Sequence, residues 1–424
     1  MPRTLLTGNA AAAWGARLAD VDYIPTFPIT PQTEIIELLA SWTAAGTMPA
    51  RFVTMDSEHS MLTAAGAAAA AGARVFTATS SQGLLYGFEM LYTIAGWRVP
   101  LVLVNVSRGL ASPITLEADH NDILSARDSG FLQIHTETCQ EIVDTILMAY
   151  RLAEDPRVML PVLVNLDGFT LSFTREPVEL PEPEAVAAFL PAYQPQHAYI
   201  RGDRPMAQGT AVLGGSVYSY FRYQQHLAQH NALAAHEEIA RAFATCCGRH
   251  YGLVEPFQLD DADYVLVMSN AFATKGKAAV QRLRARGVRA GLLRLRVLRP
   301  FPVAAIAAAL QGRRAVAVID QNLAPGLGGI TYQEIAAALY ATENHPPLLS
   351  VVGGLGGKDI SDAEFDAVFD DLQRAAAGTR LVGPRLLYTQ PEQERMQTLL
   401  RIAGKEGGEE RPLRPRSGGK EVLA

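Results

Sequence analysis

The carboxylate of Glu58, the hydroxyl of Thr30 and the guanidinium of Arg108 are the groups in this sequence best placed to do chemistry. Glu58 closes an acidic turn, Asp56-Ser57-Glu58, between an apolar run at 52–55 and a stretch of almost pure Ala and Gly from 61 to about 71. A carboxyl group set there can hydrogen-bond to a ligand and shuttle a proton at neutral pH. It can also serve the helix alone, as an acid in a first turn capped by Ser57. The small residues that follow favour a site, because another backbone or a flat ligand can approach them closely. Thr30 stands in Pro28-Ile29-Thr30-Pro31, inside a run whose three prolines fix the backbone and remove donors. It suits an N-cap with Pro31 at the first helical position, and a rigid loop at a helix start also presents a hydroxyl to a carbonyl or carboxylate. Arg108 leaves the C-terminal end of the apolar run 100–104 ahead of Gly109, where its forked donors can clamp a carboxylate.

The elements that must hold these groups read as an α/β protein. Strands at 52–55, 74–79 and 100–104 alternate with helices, and Ser80-Ser81-Gln82-Gly83 forms a polar turn between two of them. Such alternation implies a parallel sheet, with sites where strands end and helices begin. Helices are expected at 7–19, 32–45 and 140–155, and an apolar strand at 159–165 runs into Asp167-Gly168. The stretch 176–195, with five prolines and several acids, is the best linker. A long helical segment at about 219–251 carries His226, His230 and His236 on its polar face. The first two are spaced like a metal pair, but no third ligand is near, which favours a solvated face. A second α/β unit follows, with strands at 264–268, 290–296, 315–320 and 348–352. Its Gly-rich turns at 322–329 and 353–357 match neither dinucleotide nor P-loop spacing, so capping and tight packing compete with phosphate binding. From Gly404 the chain is charged, Gly/Pro-rich and expected to be flexible.

Composition excludes several classes. The apolar fraction of 49% and charged fraction of 19% suit a globular protein, and a net charge of −6 gives no electrostatic reason to expect nucleic acid or membrane binding. Three cysteines, Cys139, Cys246 and Cys247, make neither a disulfide framework nor an iron–sulfur or zinc ligand set. Asp119, His120 and Asp122 are conceivable metal ligands, but near neighbours in sequence seldom converge on one ion without further ligands, so no metal site is expected. No secretory leader or membrane-length apolar run is visible, and a cytoplasmic location is expected.

Several motifs, in order, carry a resemblance: FPITPQTEIIE, MDSEHSMLTAAGAAAAAGARVFTATSSQGL, DHNDILSARDSGF, LPVLVNLDGFTLSFTREPVELP and RLRVLRPFP. Together they resemble the alpha subunit of the 2-oxoacid:ferredoxin oxidoreductases, of which pyruvate:ferredoxin oxidoreductase is the best-known type. The resemblance covers roughly residues 5–385. It implies a pyrimidine-type thiamine diphosphate-binding domain over 1–240, with its linker from about 176. A transketolase C-terminal-like α/β domain over 255–385 would follow, then a C-terminal helix and flexible tail over 386–424. It also implies roles. Glu58 would bond the aminopyrimidine and drive the tautomer that deprotonates the thiazolium carbon. Pro28, Ser81 and Gln82 would help to hold the cofactor, Thr30 would contact the oxo-acid end of the substrate, and Arg108 would pair with its carboxylate.

The implied reaction is oxidative decarboxylation of a 2-oxo acid with coenzyme A to acyl-CoA and CO₂. The sequence has no Gly-Asp-Gly stretch followed by Asn for a magnesium-held diphosphate, and no cysteine cluster. A beta subunit would therefore carry Mg²⁺ and the diphosphate half of the site, while gamma and ferredoxin-like iron–sulfur subunits would take the electrons. Half of a lipoyl-dependent 2-oxoacid dehydrogenase, or a scaffold without activity, stays open at this point. Against the family pattern, Phe131 stands for a Trp, 268–272 for a Gly-rich turn and Gly109 for an alanine. A smaller residue beside the clamp would admit something larger than pyruvate, such as the aryl oxo acid phenylglyoxylate.

Overall fold

The computed structural model describes residues 3–195, 199–340, 342–381 and 383–403. Its first sheet is built from the apolar runs that precede the candidate residues. The order is Val297–Arg299, Leu132–His135, Val162–Asp167, Val102–Ser107 and Phe76–Thr79, parallel throughout except for the first pair. A parallel pair, Tyr23–Thr26 with Arg51–Thr54, continues it through a bridge between Tyr23 and Val75. Both faces are covered, as a parallel sheet requires. Along the central strand Val102, Val104 and Val106 enter one core and Leu103 the other.

Small residues bring the helices close. In the helix Gly8–Leu18, a β-carbon on Gly15 would lie 2.9 Å from Ile146 of the helix Cys139–Ala153. In the helix Glu58–Ala70, one on Gly66 would lie 2.7 Å from Ile94 of the helix Phe88–Trp97. The lack of bulk after Glu58 thus receives a neighbouring helix, and only its first turn is left for a ligand.

The second sheet runs Arg385–Leu386, Leu348–Val352, Ala315–Asp320, Tyr264–Ser269, Ala290–Leu295 and Val254–Phe257, with the last strand antiparallel. The two units share a core: Leu62, Ile94 and Leu103 belong to the same buried cluster as Val265, Leu293 and Val316. Charge joins them too. Arg294 and Arg296 are buried on Glu141; burial alone would raise that carboxyl, but the two guanidiniums hold it at about 2.

Several expectations change. The stretch 176–195 is not a free linker. Strand Arg175–Glu179 pairs antiparallel with Arg3–Thr7, Pro177 opposite Leu5, and the helix Pro183–Phe189 follows. A two-stranded ribbon has edges on which a proline costs no ladder bond. The long helix spans Gly215–Cys247, and His236, expected on its polar face, lies on the buried face with Ala232, Ile239 and Phe243, its Nε2 bonded to the Tyr251 carbonyl at 3.1 Å. His226 and His230 are exposed and bond each other. Thr30 is not an N-cap: the helix Thr33–Ala44 begins three residues later, after Gln32. A C-terminal helix occupies Gln390–Ile402, and the tail expected to be flexible from Gly404 lies outside the described residues. Among the described residues no helix is long and apolar enough to cross a membrane.

Candidate active site

Four strand ends converge on one place. Tyr23–Thr26 leads into the proline loop, Arg51–Thr54 into Glu58, Phe76–Thr79 into Ser81-Gln82-Gly83, and Val102–Ser107 into Arg108. This is the carboxyl edge of a parallel sheet, where open α/β folds form their sites.

Glu58 is the first residue of its helix. Ser57 caps that helix by accepting from the Ser60 amide at 3.2 Å, so the cap expected of Ser57 is present. The Glu58 side chain is therefore free of capping and is nonetheless buried. It points at Gly83, in the first turn of the short helix Gln82–Tyr86: a β-carbon there would lie 2.5 Å from Glu58 Oε1 and 2.4 Å from Thr79 Oγ1. The Thr79 and Ser80 hydroxyls are buried with no hydrogen-bond partner. A buried carboxyl group seated against a glycine and two unsatisfied hydroxyls fit a flat, polar heterocycle, and so fit the aminopyrimidine of thiamine diphosphate.

Arg108 is buried and oriented. Its Nη1 donates to the Thr30 carbonyl, Nη2 donates to Gln82 Oε1 at 3.1 Å, and Nε has no partner. Burial pushes its pKa down, and the charges of Asp122 and Glu58 oppose that shift. Thr30 thus meets Arg108 through its backbone oxygen, not through the hydroxyl on which the sequence reading relied. Ser81 is fully buried in a left-handed conformation, φ 47°, and its hydroxyl reaches Gln82 Oε1 at 2.8 Å. Pro28 is exposed in the loop before Thr30.

The acidic loop is already satisfied. His120 bonds Asp167 at 2.7 Å, the Asn121 amide donates to Asp119, and Asp122 takes donors from five groups. Among the described residues no cluster of three or more His, Cys, Asp or Glu side chains is arranged to hold a metal ion. The Gly-rich turns are also in use. Asp320 accepts from the amides of Thr331 and Tyr332 and so occupies the N-terminus of the helix Ile330–Tyr340. The Gly357 amide donates to the Ala118 carbonyl. The Thr331, Tyr332 and Gly357 amides are therefore not available to a phosphate.

The room expected beside the clamp is absent. A β-carbon on Gly109 would lie 2.3 Å from the Thr115 γ-methyl, which fills the space. Gly83 and Asp122 are what sequence reasoning missed. Gly83 looked like an ordinary turn residue. Asp122 reads in sequence as a conceivable metal ligand, whereas the fold places it as a hydrogen-bond hub between two strand ends.

Comparison with known proteins identifies the family. Residues 14–241 match the thiamine diphosphate-binding domain of pyruvate flavodoxin/ferredoxin oxidoreductases, and residues 262–365 match pyruvate:ferredoxin oxidoreductase core domain II. Pyruvate synthase subunit PorA of Methanothermobacter thermautotrophicus is 40% identical over 86% of this chain and 94% of its own length. Ketoisovalerate oxidoreductase subunit VorA of Pyrococcus furiosus is 37% identical over 88% and 94%. Among solved structures, the 2-oxoglutarate:ferredoxin oxidoreductase of Magnetococcus marinus shares the fold, with a TM-score of 0.67 and 19% identity over 88% of this chain and 65% of that one. The chain therefore belongs to the pyruvate flavodoxin/ferredoxin oxidoreductase family, as the alpha subunit of a thiamine diphosphate-dependent 2-oxoacid:ferredoxin oxidoreductase.

Proposed function

We propose that this chain supplies the aminopyrimidine half of the cofactor site and the substrate carboxylate clamp of an enzyme that oxidatively decarboxylates a short aliphatic 2-oxo acid. Coenzyme A takes the acyl group. A beta-type partner brings Mg²⁺ and holds the diphosphate, and gamma and ferredoxin-like iron–sulfur partners carry the electrons away. The observation that carries this reading is the convergence of a buried, uncapped Glu58 carboxyl and an anchored Arg108 at adjoining strand ends.

When bound, thiamine diphosphate supplies the nucleophilic carbon and electron sink that this chemistry needs. The chain's own residues do the rest. Glu58 holds and moves a proton at the aminopyrimidine nitrogen, in a setting shielded from water. Gly83 leaves room for that carboxyl to lie against the turn. Arg108, steadied by the Thr30 carbonyl and Gln82, offers its forked donors to the substrate carboxylate and fixes the oxo carbon's position. Pro28 and Ser81, from the loops on which Thr30 and Gln82 stand, would help to hold the cofactor.

A short substrate fits the packing at Gly109, since Thr115 removes the argument for an aryl group. It also fits relatives named for pyruvate and for ketoisovalerate. The test is the purified native complex assayed with pyruvate, 2-oxoisovalerate and phenylglyoxylate, with iron and sulfide measured in the same preparation. Turnover of a short aliphatic acid with bound iron and sulfide supports the reading. Exclusive use of phenylglyoxylate, or a complex with a lipoyl carrier and no iron, overturns it.

A further inference from the structure

Asp122 is fully buried between the two strand ends that carry the clamp. One oxygen, Oδ2, accepts from the Ser81 amide at 3.1 Å, the Arg108 amide at 3.3 Å and Asn105 Nδ2 at 3.1 Å. The other, Oδ1, accepts from Ser107 Oγ at 2.5 Å and the Ile123 amide at 2.6 Å. Ser81 is held in a backbone conformation that non-glycine residues adopt only when their surroundings impose it. The Ser81 hydroxyl reaches Gln82 Oε1, which also accepts from Arg108 Nη2. Asp122, Ser81, Gln82 and Arg108 thus form a closed ring of hydrogen bonds with the guanidinium on its far side.

The segment that delivers Asp122 is gripped from the second α/β unit. The His120 amide donates to the Gln321 carbonyl at 2.9 Å, and Asn121 exchanges bonds with the Leu323 backbone. The Gly357 amide donates to Ala118, and a β-carbon on Gly357 would lie 2.7 Å from Glu117. The glycine turn suspected of cradling phosphate therefore cradles this loop.

We propose that Asp122 is a positioning residue for the 2-oxo acid: it fixes the backbones of Ser81 and Arg108 so that the guanidinium is set for the substrate carboxylate before binding. The second unit's glycine turn locks the loop that carries it. This rests on the reading of Arg108 as the clamp. A buried carboxyl group with five donors is fixed by its partners, and a preset clamp spends no binding energy on ordering itself.

The experiment is steady-state kinetics of the assembled holoenzyme carrying Asp122→Asn, with Arg108→Lys in parallel. Asparagine keeps the shape but turns one acceptor oxygen into an NH₂ group; the Ser107 hydroxyl can turn to accept from it, but the backbone amides on that side meet a donor, so the carboxamide must shift from the place the carboxylate holds. The expected result is a KM for the 2-oxo acid raised tenfold or more, with kcat within threefold and the KM for coenzyme A unchanged. A purely structural role would lower the melting temperature and leave KM alone, and an unchanged KM overturns the proposal. If Arg108→Lys also leaves KM unchanged, the clamp reading itself falls; if Arg108→Lys raises it and Asp122→Asn does not, only the positioning role falls. Should Asp122→Asn fail to assemble, Gly357→Ala sets a methyl group 2.7 Å from Glu117 and so displaces the loop that brings Asp122 to the Ser81 and Arg108 amides. A two- to fivefold rise in KM supports the proposal, and an unaltered KM overturns it.

Discussion

A β-carbon on Gly83 would lie 2.5 Å from the Glu58 carboxyl oxygen, a separation that non-bonded atoms do not tolerate. Gly83 is thus the residue that lets the carboxyl group lie where it does. Gly83→Ala should displace Glu58 and reduce turnover of the assembled complex at least a hundredfold. The melting temperature should fall only a few degrees, since overpacking one methyl group costs about 1–3 kcal/mol. Turnover kinetics and a thermal melt of the same preparation check both parts.

The second prediction concerns Gly109 and Thr115. Gly109→Ala alone drives a methyl group into the Thr115 γ-methyl at 2.3 Å and should raise the substrate KM. Adding Thr115→Ser removes that γ-methyl and should restore the KM to within about twofold of the parent if the two groups compete for one space. Kinetics of the two single variants and the double variant measure the coupling.

A third prediction follows from His236. Burial, with Arg296 nearby, pushes its imidazole down to about 3. In an unfolded chain it titrates near pH 6.5. The unfolded state then binds more protons between these values, so this contribution to stability is full above about pH 6.5 and drains as pH falls toward 3. His236→Gln removes the difference. Its stability should depend less steeply on pH in that window, by up to about 1.4 kcal/mol per pH unit. Urea unfolding of parent and variant at pH 7.5 and 5.0 measures the slope.

The fourth concerns Asp320, which accepts from the Thr331 and Tyr332 amides and from Asn322 at 2.8–3.0 Å. Gly329 lies against it, where a β-carbon would meet Asp320 Oδ2 at 2.0 Å. Asp320→Ala leaves buried donors without a partner and should cost about 2–4 kcal/mol. Gly329→Ala should destabilise through the same contact, and the double variant should cost less than the sum of the two single changes. Denaturation midpoints of the three variants decide it.

The strands were legible because both faces of each sheet are buried, which writes continuous apolar runs into the sequence. Their ends were less so. Val102–Ser107 and Val162–Asp167 extend through Asn105, Ser107, Asn165 and Asp167, polar residues that a strand accepts only because each is bonded: Asn105 to Asn165 and Asp122, Ser107 to Asp122, and Asp167 to His120 and Asn270. Glu58 and Arg108 stood out from strand–turn–helix order alone. The use of the Thr30 carbonyl did not, because a side-chain motif says nothing about a backbone oxygen. The burial of His236 depended on the segment around Tyr251, fifteen residues away. At Asn270, where the resemblance leads one to expect a glycine-rich turn, φ is +53°. Asparagine tolerates that conformation, and its side chain docks on Asp167, His120 and His135 of the first unit.

The most direct measurement is turnover of the assembled complex carrying Glu58→Gln, with subunit assembly and thiamine diphosphate content determined on the same sample. The account predicts intact assembly, a loss of turnover of about a thousandfold or more, and no rescue by added cofactor, because glutamine keeps the shape but cannot move the proton. Turnover within a few-fold of the parent would contradict it.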